Sequence, residues 1–76
     1  MALVRDFERI TLQVEKVHGE VDCTYTVFSS GEHKYFQLDT YGSRHRKIKG
    51  KKSQSFQIDE KAAKELYFLL KAEFSL

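Results

Sequence analysis

An α+β fold is predicted for this chain: a four-stranded antiparallel sheet followed by one C-terminal helix packed on one face, in the order β-β-β-β-α. Three observations predict it. Apolar and polar side chains alternate over several short stretches before residue 58, which is typical of strands. Residues 59–74 instead repeat apolar positions with helical spacing. The connections are short enough for neighbouring strands to run antiparallel.

The first two strands are predicted between residues 10 and 28. In the first, which runs to Glu15, every second residue is apolar: Ile10, Leu12 and Val14. Residues 1–9 fit either a helical turn or an extended arm. His18-Gly19 then serves as a tight turn, because Gly supplies positive φ. In the second strand the alternating apolar residues are Val21, Cys23, Tyr25 and Val27. A cysteine on such a face is expected to be a small buried side chain rather than a nucleophile.

The third strand is predicted over Lys34–Tyr41, ended by Gly42, and the fourth over Ser53–Ile58. Asp59 is a suitable N-cap for the helix, which runs to about Phe74. The apolar positions of the helix are Ala62, Ala63, Leu66, Leu69, Leu70 and Phe74. This stripe packs on one face of the sheet, which leaves the other face uncovered.

The uncovered face is predicted to be polar and aromatic. By alternation it carries Tyr35, Gln37, Asp39, Tyr41, Ser55 and Gln57, extended by Thr24, Thr26 and Phe28. Aromatic rings, amides and hydroxyls on an open sheet suit stacking on bases and hydrogen bonding to base edges. The alternative is purely structural, since Tyr and Thr are good strand formers and cross-strand pairs stabilise sheets without a ligand.

Length and composition predict a single domain over 1–76, with an arm at 1–9, a sheet at 10–58 and a helix at 59–74. With 41% hydrophobic residues, the 76-residue chain is too apolar to be disordered. A lone cysteine excludes an intrachain disulfide, and the His spacing gives no zinc pattern. We therefore expect a homodimer to support so small a core. No apolar run approaches a membrane span, so a cytoplasmic protein without membrane contact is expected.

Positive charge is concentrated in one segment. Residues 1–43 carry a net charge of −3 and residues 53–76 a net charge of −1, whereas residues 44–52 hold six basic and no acidic side chains. The basic residues are Arg44, Arg46, Lys47, Lys49, Lys51 and Lys52, accompanied by His45. Such a cluster attracts an anionic partner; the alternative is a solvated loop that maintains solubility.

Two stretches carry a family resemblance. They are Phe36-Gln37-Leu38-Asp39 and, after the basic segment, Lys49-Gly50-Lys51-Lys52-Ser53-Gln54-Ser55-Phe56-Gln57-Ile58-Asp59. Over about residues 10–74 the chain resembles the single-stranded DNA-binding fold of the positive-cofactor-four transcriptional coactivators, whose β-β-β-β-α unit the Pur-type and Whirly proteins share. The pattern Asp39-Thr40-Tyr41-Gly42-Ser43 with Gly50-Lys51-x-Ser53-Gln54 is also similar to short bacterial proteins without a settled biochemical role.

The resemblance implies binding of single strands along the sheet, a transcription-regulator-like role, and a dimer in which the helix takes part. It implies phosphate contacts from the basic residues Arg44, Arg46, Lys47, Lys49, Lys51 and Lys52. It also implies base contacts from Tyr35, Tyr41 or both, and Gln57 lies on the same face. The acidic first 43 residues depart from a long basic groove, so the footprint is short or the partner is not a nucleic acid.

The sequence offers little for catalysis, so the protein is not expected to be an enzyme. It has no phosphate-binding glycine motif, no metal-ligand spacing and no evident cofactor or small-molecule site. The leading hypothesis is a module that binds single-stranded DNA or RNA. The alternative is a protein-interaction module, either a homodimer or an accessory subunit. A small hydrolase or nuclease subunit is the third candidate.

Overall fold

The computed structural model describes residues 1–43 and 51–76. These ranges form four strands and one helix: β1 (Ala2–Val4), β2 (Val21–Ser30), β3 (His33–Ser43), β4 (Lys52–Ile58) and α1 (Glu60–Phe74). The strands make one sheet in the order β1-β4-β3-β2. The predicted α+β class, with four strands before one C-terminal helix, is confirmed.

β2 and β3 form a long hairpin, in which β3 is a central strand of the sheet and β2 is an edge strand. The two-residue turn of the hairpin is Gly31-Glu32, between the paired residues Ser30 and His33. Gly31 has a φ of +64°, which a residue without a Cβ adopts readily. The strands are longer than predicted. Gly42 is predicted to end β3, but the strand continues through Gly42 to Ser43.

The predicted first strand is wrong. Residues 10–20 form neither strand nor helix, and the side chains of Ile10, Leu12 and Val14 are exposed. The first strand is instead Ala2–Val4, in the segment predicted as an arm. Alternation makes a segment fit for a half-buried surface, but a strand also needs a neighbouring edge, and here residues 2–4 take the edge of β4.

The sheet is mixed rather than wholly antiparallel. β2, β3 and β4 are antiparallel neighbours, whereas β1 pairs with β4 in parallel, with Ala2 opposite Phe56 and Val4 opposite Ile58. The prediction assumed that strands adjacent in the sequence pair with each other through short turns. Parallel strands such as β1 and β4 need a long connection instead, so sequence adjacency did not reveal this pair. The connection over residues 5–20 takes the chain from one edge of the sheet to the other.

One residue, Asp59, separates the end of β4 from the start of the helix. Asp59 caps it: its carboxylate accepts a hydrogen bond from the Ala62 amide at 2.8 Å, as the sequence predicts. Ser75, at a φ of 55°, ends the helix with a left-handed residue. In the described part of the chain no helix is both long and apolar enough to cross a membrane.

The hydrophobic core of the described residues is small. Ile58 at 5% exposure and Ala62 at 0% are its buried apolar residues, where the start of α1 lies against β3 and β4. The second half of the helix is exposed. Cys23, predicted to be buried, is exposed as well, because no element of the described residues covers its end of the sheet.

Residues 5–9 run beside the helix and are tied to it by polar contacts. The Phe7 amide donates to the Glu65 carboxylate at 3.3 Å, and Arg9 pairs with Glu73 at 2.8 Å. Asp6 pairs with Lys61 and raises the pKa of that ammonium. These exposed pairs orient the N-terminal segment and add little stability.

Replacing the helix cap tests the short junction between strand and helix. We expect Asp59→Ala to lower the free energy of unfolding by about 1 kcal/mol, because the Ala62 amide loses its acceptor. Asp59→Asn keeps an acceptor and is the matched control, expected within a few tenths of a kcal/mol of the parent. Urea unfolding followed by circular dichroism measures both. Equal unfolding midpoints for Asp59→Ala and the parent would contradict this role.

Candidate functional site

The two faces of the sheet differ in chemistry. On the side of α1, Val27, Phe36 and Ile58 form one row across the strands. On the other side Thr24, Asp39 and Ser55 form one row, and Thr26, Gln37 and Gln57 form the next. We call this second side the polar face; it comprises Thr24, Thr26, Phe28, Tyr35, Gln37, Asp39, Tyr41, Lys52, Ser55 and Gln57. The predicted assignment of side chains to this face is confirmed.

Asp39 lies at the centre of the polar face and is only 2% exposed. The Ser55 hydroxyl donates to its Oδ1, and the Gln37 amide donates to both carboxylate oxygens at 3.1 and 3.2 Å. The Lys52 ammonium lies 3.3 Å from its Oδ2. A buried carboxylate is stable only with such partners, and Asp39 therefore organises the side chains around it.

The hydrogen bond from Ser55 lowers the pKa of Asp39 more than any other contact. Burial acts in the opposite direction, while the hydrogen bond from Gln37 and the nearby Lys52 charge lower the pKa further. The net shift is downward, so Asp39 is ionised at neutral pH. The ion pair with Asp39 therefore partly neutralises the positive charge of Lys52, which is one of the six basic residues of the basic segment.

An irregularity in β4 brings Lys52 to this carboxylate. Thr40 is opposite Gln54, but the next residue, Tyr41, is opposite Lys52, so that Ser53 is an extra residue in the ladder. Such a bulge changes the face on which the neighbouring side chain lies. Here it places the Lys52 side chain on the same face as Asp39. Sequence alternation alone could not reveal this, because a bulge interrupts the period of two.

Gln57, one of the predicted contact residues, is part of a hydrogen-bonded row. Its amide donates to the Gln37 Oε1 at 2.8 Å, and Gln37 in turn donates to Asp39. The row crosses from β4 to β3 and holds the half-buried amides in fixed orientations. The polar face is therefore ordered in the absence of a ligand.

The two predicted base-stacking tyrosines are not brought together. Tyr41 lies at the Lys52 end, where its hydroxyl shares a hydrogen bond with Thr24 at 2.9 Å. Tyr35 lies at the other end and stacks on Phe28, with ring centroids 5.6 Å apart. The two tyrosines are six positions apart along β3, a distance of about 20 Å. Both are half-buried.

The predicted basic residues are placed only in part. Lys51 and Lys52 are exposed and lie at the start of β4, beside the end of β3. Four others lie outside the described residues: Arg44, Arg46, Lys47 and Lys49. Because Tyr41 pairs with Lys52, the two chain ends that flank residues 44–50 are at the same end of the sheet.

A second group of cations was not anticipated from the sequence. A cleft of about 560 Å³ adjoins Tyr35 and is lined by Arg5, His33, Lys34, Tyr35, Asp59, Glu60, Lys61 and Lys64. Its basic residues are scattered along the chain, so no charge run marks them. Asp59 and Glu60 offset part of this charge. The described ranges hold no group of three His, Cys, Asp or Glu side chains that could bind a metal ion.

Ser55→Ala tests what sets the charge state of Asp39. Because the folded pKa lies below the ordinary value of 3.8, ionised Asp39 stabilises the fold above that pH, and this contribution disappears as pH falls. We expect Ser55→Ala to raise the pKa of Asp39 towards 3.8. We also expect Asp39→Asn to lose less stability than the parent between pH 6 and pH 3. Carboxyl-carbon NMR and urea unfolding provide the measurements, with the exposed Ser29→Ala as control. An unchanged pKa in Ser55→Ala would contradict the assignment.

No family model matches this chain, and neither a curated protein nor a solved structure matches it. The functional conclusion therefore rests on the polar face. Its defining features are the Asp39 network, two separated tyrosines and the lysines at the start of β4.

Proposed function

We propose that this protein is a small module that binds single-stranded nucleic acid across the polar face. The observation that carries the proposal is the arrangement of charge around an uncovered polar sheet. Lys52, next to Lys51, lies at one end of the face, where the basic segment leads into β4. Tyr35 lies at the other end, but the cleft beside it is lined by α1 residues and by Lys34, which alternates to the α1 side of the sheet. A polyanion crossing the polar face would therefore meet cations at the Lys52 end.

The basic segment supplies the phosphate contacts in this proposal. Its six cations follow one another within nine residues, and the two described ones lie beside Tyr41. Phosphate binding releases condensed counterions, so affinity falls with salt concentration. Lys52 contributes less than a free lysine, because Asp39 already holds its ammonium at 3.3 Å.

The tyrosines and glutamines supply the base contacts. Tyr35 and Tyr41 offer π faces about 20 Å apart along β3, and the Gln37–Gln57 row lies between them. Unpaired bases expose faces for stacking, whereas a broad flat sheet enters neither groove of a duplex. The single strand is therefore the preferred form.

A protein-interaction role is the second candidate, favoured by a different observation. The side of the sheet that faces α1 leaves large apolar side chains exposed, among them Tyr25 and Val27. The two functions use opposite faces of the sheet, so each is tested independently. The homodimer expected from the size of the chain belongs to this second surface.

The salt dependence of binding tests the basic segment. We expect Lys49, Lys51 and Lys52 replaced together by Ala to reduce the slope of log affinity against log salt by about 1.4 to 2, since Lys49 and Lys51 each lose a phosphate contact of about 0.7 and Lys52 loses a weaker one. Fluorescence anisotropy of a labelled single-stranded 20-mer between 50 and 200 mM salt measures it, with the duplex as competitor. Replacing Arg9, Lys16 and Lys71 together by Ala is the matched control, since none of the three belongs to the polar face or lines the Tyr35 cleft. An unchanged slope would exclude the segment from binding, and absence of binding at 50 mM would overturn the function.

Stacking is tested at high salt, where phosphate contacts are weakest. We expect Tyr41→Ala to weaken binding about 5- to 150-fold, which corresponds to the loss of about 1–3 kcal/mol for one stacked base. Tyr41→Phe retains the ring but not the bond to Thr24, and is expected to bind like the parent. The same pair of variants at Tyr35 tests the other end of the face. If neither alanine variant loses affinity, the bases do not stack here.

A further inference from the structure

The helix carries an apolar stripe that is buried only at its beginning. Ala62 has 0% exposure and Leu66 is half-buried, but Leu70 is 41% exposed and Phe74 is 69% exposed. These residues share one side of the helix by their spacing. Exposure rises steadily because the helix leaves the sheet after its first turns. The second half of the stripe therefore has no partner within the described chain.

The sheet face under the helix shows the same gradient. Ile58 is 5% exposed next to α1, whereas Val27 is 52% exposed and Tyr25, stacked on Phe36 at 5.2 Å, is 67% exposed. Cys23 continues this row and is exposed too. Both surfaces thus extend from one small contact between Ile58 and Ala62. Together they form half of a hydrophobic core.

The amount of surface is too large for a folded monomer of this mass. The accessible surface is 7237 Å², while a monomer of 8.9 kDa is expected to expose about 4,800 Å². The radius of gyration is 14.7 Å, against about 11.4 Å for a compact chain of this length. Residues 5–20, which contain no helix or strand, contribute part of this surplus. The exposed apolar side chains on the helix stripe and on the α1 side of the sheet contribute another part.

We propose that a second copy of this chain covers this apolar surface. In the resulting two-fold dimer, the second half of each helix packs on the exposed sheet face of the other copy around Tyr25 and Val27. A third of the surplus of about 2,400 Å² per chain equals the roughly 800 Å² that each partner buries in an interface of standard size. A two-fold contact uses the same patch twice, and each chain supplies both a projecting helix and an uncovered sheet.

Charge and stoichiometry favour a second copy over another protein. The exposed part of the sheet face on β2 carries Cys23, Tyr25 and Val27, and the helix stripe that would pack on it carries Leu66, Leu70 and Phe74. Neither of these two patches contains a charged side chain. The chain has one cysteine and no possible intrachain disulfide. A core that is completed only by a partner needs that partner always present, which a second copy provides at equal concentration. The polar face stays free on the opposite side, and the dimer does not depend on nucleic-acid binding.

The native chain provides the first test. We expect sedimentation equilibrium to give twice the monomer mass from 1 to 100 µM. Cys23 lies on the proposed interface, so we expect its thiol to react with a disulfide reagent at least tenfold more slowly in the native protein than in guanidinium. A monomer at 100 µM, or an open series of larger assemblies, would overturn the proposal. A dimer whose Cys23 reacts as fast as in the unfolded chain would show that another surface is used.

A pair of helix variants provides the second test. Leu70→Glu places a charge in the proposed interface, and we expect at least a tenfold weaker dimer with a faster Cys23 reaction. Ala72→Glu adds the same charge on the opposite side of the same exposed helical turns, and we expect it to leave the dimer unchanged. A dimer insensitive to Leu70→Glu would overturn the role of the helix. If that variant does not fold, the native chain decides, because the Tm of a dimer rises with concentration and a constant Tm contradicts it.

Discussion

The arrangement of this protein depends on the junction between β4 and α1. Asp59 is the single residue between strand and helix, and its carboxylate caps the Ala62 amide while its carbonyl accepts from the Ala63 amide at 2.9 Å. So short a connection makes the helix start directly over Ile58. It also fixes the direction in which the helix leaves the sheet. The two faces, and the unequal exposure of the apolar one, follow from that contact.

The polar face is stabilised by its own hydrogen bonds rather than by burial under another layer. Asp39 is nearly inaccessible because Gln37, Ser55 and the Lys52 side chain surround it. Among the described residues, no buried side-chain nitrogen or oxygen lacks a hydrogen-bond partner. A face that is already ordered loses less conformational entropy when it binds a ligand. That property suits the proposed platform for single strands.

The opposite face is incomplete, so the two proposed interactions use separate faces of the sheet. Apolar side chains on the helix stripe and on β2 contact too little of the chain to form a core. A second copy would bury them without touching Asp39 or the tyrosines of the polar face. Nucleic-acid binding and self-association are therefore compatible within one small fold, since a sheet offers two surfaces that alternate residue by residue along each strand.

The sequence by itself determined β2, β3, β4 and α1 to within a few residues, together with the residues on each face, because periodicity and the Asp59 cap are local properties. It could not locate the first strand, since Ile10 and Leu12 alternate as clearly as any strand but find no neighbouring edge, whereas Ala2–Val4 do. The sequence also did not reveal three further features: the bulge that brings Lys52 to Asp39, the cations around Tyr35 and the exposure of Cys23. Each depends on which segments become neighbours, and only the tertiary structure decides that.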